Sequence, residues 1–182
     1  MPSYPIHTIA TAPETARPVL EHLEKTFGMV PDLAGAMANS PELIKAFIGL
    51  FQQVHSGTFT EAEIQALLLT NAVANACDWA VAFHTMLALK EGLTPADVEA
   101  MRGRGVPADG RLAALSGLAR RLIETRGHVG GDDLATFVAA GFRREQALEV
   151  LAVTAASIIT NYAGTMTRPP LEDVLRPHAW RS

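Results

Sequence analysis

A single cysteine, Cys77, in 182 residues leaves no disulfide possible within the chain, and with it goes any small scaffold stapled by sulfur bridges. Charge is also scarce: Asp, Glu, Lys and Arg make up 19% of the residues, against about 25% in ordinary globular domains. The 15 basic residues form no run or stripe and the net charge is −4, so the sequence offers no electrostatic footprint for nucleic acid or an anionic membrane. Long hydrophobic runs are missing too. The most apolar stretch, Val150 to Ile159, carries Thr154 and Ser157 and falls well short of the roughly 20 residues that cross a bilayer. Met1-Pro2-Ser3-Tyr4-Pro5-Ile6-His7 has no basic stretch followed by an apolar core, so no secretory signal is expected. A lone thiol without a leader points to a reducing compartment, and the cytoplasm is the expected location.

Two further absences narrow the chemistry. Gly103-Arg104-Gly105 lacks the additional glycines, the lysine and the strand–helix setting of phosphate-binding loops, so no nucleotide cofactor is expected. Cys77 and His84 supply two possible metal ligands, but His55 and His128 are isolated and no His-x-x-x-His accompanies them. No metal is expected.

What remains is a chain written almost entirely for helices. Ser40-Pro41-Glu42 and Thr94-Pro95-Ala96-Asp97 each pair a hydroxyl N-cap with proline at the first helical position, and Thr60-Glu61-Ala62-Glu63 has the capping-box pattern. Gly28, Gly57, Gly92, Gly127 and Gly141 stand where glycines close helices. Between these marks the apolar residues recur at helical spacing, as in Leu43, Phe47, Leu50, Phe51 and Val54. Helices are predicted at 13–27, 32–38, 41–56, 61–76, 78–91, 95–102, 109–126, 132–140 and 144–164, in one all-α domain over 1–182. The segment 103–109 reads as a linker between two helical halves, and the last helix, apolar nearly all round, reads as the central one. Low charge, an apolar fraction of 48% and two helices without a polar face predict self-association.

The most informative run is Asn75-Ala76-Cys77-Asp78-Trp79-Ala80-Val81-Ala82-Phe83-His84. On a helix, positions 77, 80 and 84 share one face. With cysteine at 80 the run would read Cys-x-x-Cys-x-x-x-His; with alanine there, no disulfide couple can form within the chain. Cys77 has two readings, a buried small hydrophobe or a thiol activated by a helix N-terminus and by His84. His84 is in turn either a proton-transfer group or a core imidazole satisfied by backbone carbonyls or Asn75. Trp79 and Phe83, at i and i+4, pack as core or line a ligand cavity.

Four pieces in order, Phe27-Gly28-Met29-Val30-Pro31-Asp32-Leu33, Ser40-Pro41-Glu42-Leu43, Asn75-Ala76-Cys77, and His84 followed by Gly92-Leu93-Thr94, resemble the carboxymuconolactone decarboxylase family, in its alkylhydroperoxidase D-like, peroxidase-related branch. The resemblance covers about 28–105, with a C-terminal helical half at about 109–165. It implies that branch's helical fold and assembly as a dimer, trimer or hexamer. In the family a glutamate twelve residues before the first cysteine, an attacking second cysteine, a resolving first cysteine and a proton-relaying histidine do the chemistry. Here those places hold Gln65, Ala80, Cys77 and His84. Asn161 stands where the family often turns a polar residue toward the site, and Asn75 flanks the cysteine.

The expected function is accordingly a peroxidase-related oxidoreductase with a one-cysteine site, Cys77 as thiol and His84 as proton partner, supported by Gln65, Asn75 and Asn161, and drawing on an external thiol. Two alternatives stand beside it. One is a cofactor-free lyase or isomerase that acts on a small organic acid through His84. The other is a non-catalytic oligomer that binds a small molecule.

Overall fold

The computed structural model describes residues 4–181. Met1 to Ser3, where the segment read for a signal sequence begins, and Ser182 lie outside them. Among these residues nine α-helices follow one another with no strand: α1 (Arg17–Phe27), α2 (Asp32–Met37), α3 (Pro41–His55), α4 (Glu61–Ala74), α5 (Asp78–Lys90), α6 (Pro95–Arg102), α7 (Gly110–Glu124), α8 (Gly131–Ala139) and α9 (Gln146–Thr167). The architecture is all-α, and the helices start where capping chemistry places them. The Ser40 hydroxyl accepts from the Leu43 amide and Thr94 from Asp97. Thr60 accepts from Glu63, while the Glu63 carboxylate takes the Thr60 amide at 3.0 Å, which completes the capping box. Gly28, Gly92, Gly127 and Gly141 close helices at positive φ. Gly57 does not: a Cβ there would meet Glu149 Oε2 at 2.9 Å, so its small size lets α9 reach the α3–α4 turn, where Glu149 accepts from the Thr58 amide.

The central helix is α4, not α9. Every residue from Ile64 to Val73 is buried, and α4 packs against α5, α6, α7 and α9. It feeds two apolar clusters, giving Leu69, Ala72 and Val73 to one around α5 and Ile64, Leu67 and Leu68 to another built with α7, α8 and α9. The segment 103–109 does not separate these cores. It is tied down by the Ala108 amide on Asp97 Oδ1 and by the Arg120 guanidinium on the carbonyls of Arg104 and Gly105.

The sequence pattern placed α9 at the centre because its apolar residues surround it. In the fold its inner side, including the polar Gln146, Thr154, Ser157 and Asn161, is buried, while Leu148, Leu151, Tyr162 and Met166 remain 50–71% exposed. At 22 residues α9 is long and apolar enough to cross a membrane, by length and composition alone, with 44% of its most apolar window buried. The ten-residue stretch read from the sequence understates it.

Candidate active site

The α4–α5 junction positions the chemistry. Helix α4 ends in a Schellman motif, with the Cys77 amide on the Ala72 carbonyl at 3.0 Å and the Ala76 amide on Val73 at 3.2 Å. That motif needs a left-handed residue, and Ala76 supplies it at φ 51°, a conformation that strains a residue with a Cβ. Cys77 is then the N-cap of α5.

The thiol does not sit as the spacing suggested. Cys77 is 2% exposed, and a Cβ placed on Gly164 of α9 would lie 2.7 Å from its Sγ. The sulfur is wedged against the α9 backbone. A helix N-terminus was expected to lower its pKa; instead burial pushes it above the ordinary value, outweighing the Ala80 amide, the Thr165 hydroxyl and the Trp79 amide, which favour the thiolate. No capping hydrogen bond of full geometry forms at the sulfur.

His84 and Gln65 do meet. Both are buried, and His84 Nδ1–H donates to Gln65 Oε1 at 3.0 Å. This bond sets the tautomer, leaving Nε2 as the acceptor. Burial, reinforced by the nearby His55, lowers the His84 pKa from 6.5 to about 3. The imidazole is neutral at pH 7, and the amide of Gln65 cannot counter this as a carboxylate would. Asn161 is 1% exposed, and neither its amide nitrogen nor its oxygen finds a partner; the same is true of Asn71 on α4, and the Asn75 amide nitrogen is also unpaired. His84 is paired with Gln65 rather than with Asn75.

His84 lines a cavity of about 60 Å³ together with Ala80, Trp79, Phe83, Leu33 and His55. Cys77 is not among its lining residues. The walls are almost wholly apolar. Trp79 stacks on Phe83 at 4.9 Å, and Trp79 Nε1 donates to Glu172 Oε2 at 2.9 Å. The other Glu172 oxygen accepts the Asp32 amide at 2.7 Å, so one carboxylate from the C-terminal loop fixes both the start of α2 and the indole. Phe27, Phe51, Phe83, His55 and His84 also border a wider opening of about 440 Å³, which adds His22, Glu61, Lys90 and Glu91.

Sequence reasoning missed His55 and Glu172. His55, read as isolated, ends α3 and meets Glu61 at the start of α4, its Nδ1 lying 2.9 Å from both carboxylate oxygens. The signal was available: a five-residue turn between two capped helices brings the last turn of one beside the first turn of the next. Glu172, 93 residues from Trp79, left no local trace. No group of three or more His, Cys, Asp or Glu is placed to hold a metal among the described residues.

The sequence profile of the carboxymuconolactone decarboxylase family matches residues 41–121, which hold α3 to α6, the Cys77–His84 run and most of α7. Over those residues the chain is similar to that family. No curated protein matches it significantly. Its fold is that of the alkylhydroperoxidase core. An uncharacterized peroxidase-related protein with that core, from Ralstonia eutropha JMP134, superposes with a TM-score of 0.83 at 20% identity, over 95% of this chain and 93% of the other. A peroxidase-related protein from Silicibacter sp. TM1040 gives 0.78 at 19% identity, over 94% and 93%. The debrominase Bmp8, as a cysteine-to-alanine form in complex with 2,3,4-tribromopyrrole, gives 0.76 at 16% identity, over 98% and 95%.

Proposed function

We propose that this chain binds a small, largely apolar organic molecule in the cavity beside His84 and acts on it by acid–base chemistry rather than through a thiol. The observation that carries this reading is the lining of the cavity: the methyl of Ala80 and the imidazole of His84 face it, while the Cys77 sulfur packs against Gly164 instead. A neutral imidazole in an apolar site accepts a hydrogen bond at Nε2 without first having to lose a proton of its own; with its pKa held at about 3 in the free protein, it takes a full proton only as charge developing on the bound ligand stabilises the imidazolium. The Bmp8 complex supports the ligand class, since a protein of the same fold holds a compact aromatic ring while one of its cysteines is replaced by alanine.

A second reading is favoured by the Ala80 and Trp79 amides and the Thr165 hydroxyl around the sulfur. In it the Cys77 thiolate attacks a hydroperoxide, giving sulfenic acid and an alcohol. One external thiol then forms a mixed disulfide with loss of water, and a second releases the reduced cysteine as an external disulfide.

One experiment separates the two. Peroxide consumption with dithiothreitol, measured beside iodoacetamide labelling of the folded protein by intact mass, should show little turnover and labelling only as fast as the chain opens. Rapid labelling, together with turnover that Cys77→Ser abolishes, would overturn the acid–base reading in favour of the one-cysteine oxidoreductase.

A further inference from the structure

Resting on the cavity as a small-molecule site, we propose that His55, oriented by Glu61, takes the polar hydrogen of the ligand, and that the ligands are therefore compact aromatic molecules with one O–H or N–H donor. His55 Nδ1 sits 2.9 Å from both oxygens of the Glu61 carboxylate. This holds Nδ1 protonated and leaves Nε2 with a lone pair, the carboxylate–histidine arrangement that fixes the tautomer and the ring orientation. That far nitrogen is buried and has no hydrogen-bond partner, a condition rare enough in folded proteins to require an explanation. The side chain lines both the chamber and the wider opening, so Nε2 lies at the seam of the two; the chamber alone, at about 60 Å³, is smaller than the ~150 Å³ that takes a benzene ring, and a ring lodged here extends into the opening of about 440 Å³.

Three features select the ligand. The chamber is almost wholly apolar, and Thr160 gives its hydroxyl hydrogen to the Ser157 carbonyl at 3.1 Å and Trp79 its indole N–H to Glu172 at 2.9 Å, so neither is left to donate to a ligand. Donors that a ligand carries find their acceptors in Nε2 of the two imidazoles and, beside them, in the Thr160 oxygen. A molecule that offers only acceptors finds nothing to pair with. Aromatic character follows from the walls, where Phe51 lies 4.2 Å from the His55 ring and Phe27 meets Phe83 edge-on at 5.2 Å. Because Nε2 is covered, the ligand must turn the Phe51 ring aside to reach it, and an aromatic ligand replaces the contact it displaces. His22, Lys90 and Glu91 stand in the wider opening, where they meet the ligand before it is desolvated rather than after.

The test compares 4-chlorophenol with its methyl ether, 4-chloroanisole, two probes of nearly the same apolar body of which only the first carries a donor. Binding is followed through the fluorescence of Trp79, which lines the chamber, and checked by calorimetry. The wild type should favour the phenol by about tenfold, the scale of one buried hydrogen bond left unmade. In His55→Leu that preference should shrink several-fold while affinity for the ether is kept. Glu61→Gln should retain the fold and lose part of the preference, because the amide orients the ring without its charge. If neither probe nor their halogenated relatives bind, the small-molecule reading of the cavity itself fails. If both bind the wild type equally, that reading survives and the role of His55 is overturned. It is overturned as well if His55→Leu weakens both probes in parallel, the outcome of a merely structural change.

Discussion

Gly164→Ala tests directly where the Cys77 sulfur lies. A Cβ at 164 would stand 2.7 Å from Sγ, against the roughly 3.5–4.0 Å at which heavy atoms pack, so about 1 Å has to be found. The neighbouring Leu33 methyls, at 3.8 and 4.0 Å, would be in ordinary contact, and the whole conflict is with the sulfur. Overpacking of this kind costs about 1–3 kcal/mol. Replacing a mid-helix glycine by alanine returns about 0.5–1 kcal/mol through the unfolded chain. The net expectation is a loss of about 0.5–2 kcal/mol in the wild type. In a Cys77→Ala background the clash is gone and only the helix gain remains, so the same substitution should stabilise by about 0.5–1 kcal/mol. The assay is urea denaturation followed by far-ultraviolet circular dichroism for the four proteins of the double-mutant cycle. A change of sign between the two backgrounds is expected. If Gly164→Ala stabilises both backgrounds equally, the sulfur does not pack there, and the case for a structural Cys77 falls with it.

Four further outcomes are expected. The folded chain keeps His84 neutral down to about pH 3 whereas the unfolded chain protonates it near the ordinary 6.5, so the unfolded state binds the extra proton. His84 should therefore remove about 2–3 kcal/mol of stability as the pH falls from 7 to 4.5, fully recovered above 6.5; urea midpoints against pH should be steeper for the wild type than for His84→Gln, and equal slopes would refute the buried neutral imidazole. Ala76→Gly relieves the left-handed strain of about 1–2 kcal/mol against the entropy of glycine and should stabilise by about 0.5–1 kcal/mol, read as a rise in denaturation midpoint; a lower midpoint would contradict the turn geometry. The exposed stripe of Leu148, Leu151, Tyr162 and Met166 on α9 should be covered by another copy, so light scattering should give at least a dimer and Leu151→Glu should shift it toward the 19.4 kDa monomer; a wild-type monomer at micromolar concentration would sink this expectation. Ala80→Cys with Gln65→Glu restores the family's attacking thiol at the cavity wall and its carboxylate on His84, and should raise thiol-dependent peroxide consumption well above the wild type; no gain would mean that the cavity no longer admits peroxide productively.

How much of this was legible in the sequence depended on how local the cause was. Helix starts could be read to within a residue or two at Ser40, Thr60 and Thr94, because a hydroxyl two or three positions from the amide it caps is a local event. The break at Asn75-Ala76-Cys77 could be read for the same reason, and the family spacing brought Gln65 to His84 across nineteen residues. The central helix could not, since the apolar composition of α9 does not say which side another helix will cover. Nor could the state of the thiol. Two of the favourable groups around Cys77, the Ala80 and Trp79 amides, are one turn away at most, whereas the third, the Thr165 hydroxyl, and the backbone that crowds the sulfur at Gly164 come from α9, nearly ninety residues on. Spacing captures the first and is blind to the second.

That division also explains why the expected chemistry and the proposed chemistry differ. A motif records which side chains share a helix face, and Cys77, Ala80 and His84 do recur at helical spacing. A cavity is made by whatever packs against that face, and here α2, α3 and α9 close over Ala80 and His84 while Gly164 admits the sulfur into the helix–helix contact. With Ala80 in place of a second sulfur, a thiolate at Cys77 would have no disulfide partner within the chain, and burying it as a thiol among apolar neighbours is the lower-energy arrangement. The imidazole has no equivalent retreat: its Nδ1 donates to Gln65, its Nε2 is left as the acceptor, and a second imidazole, whose buried Nε2 is unpaired, lines the same chamber. On the proposed reading a ligand, rather than the protein, supplies the hydrogen that these acceptors lack, and the remaining chemistry falls to His84 and His55.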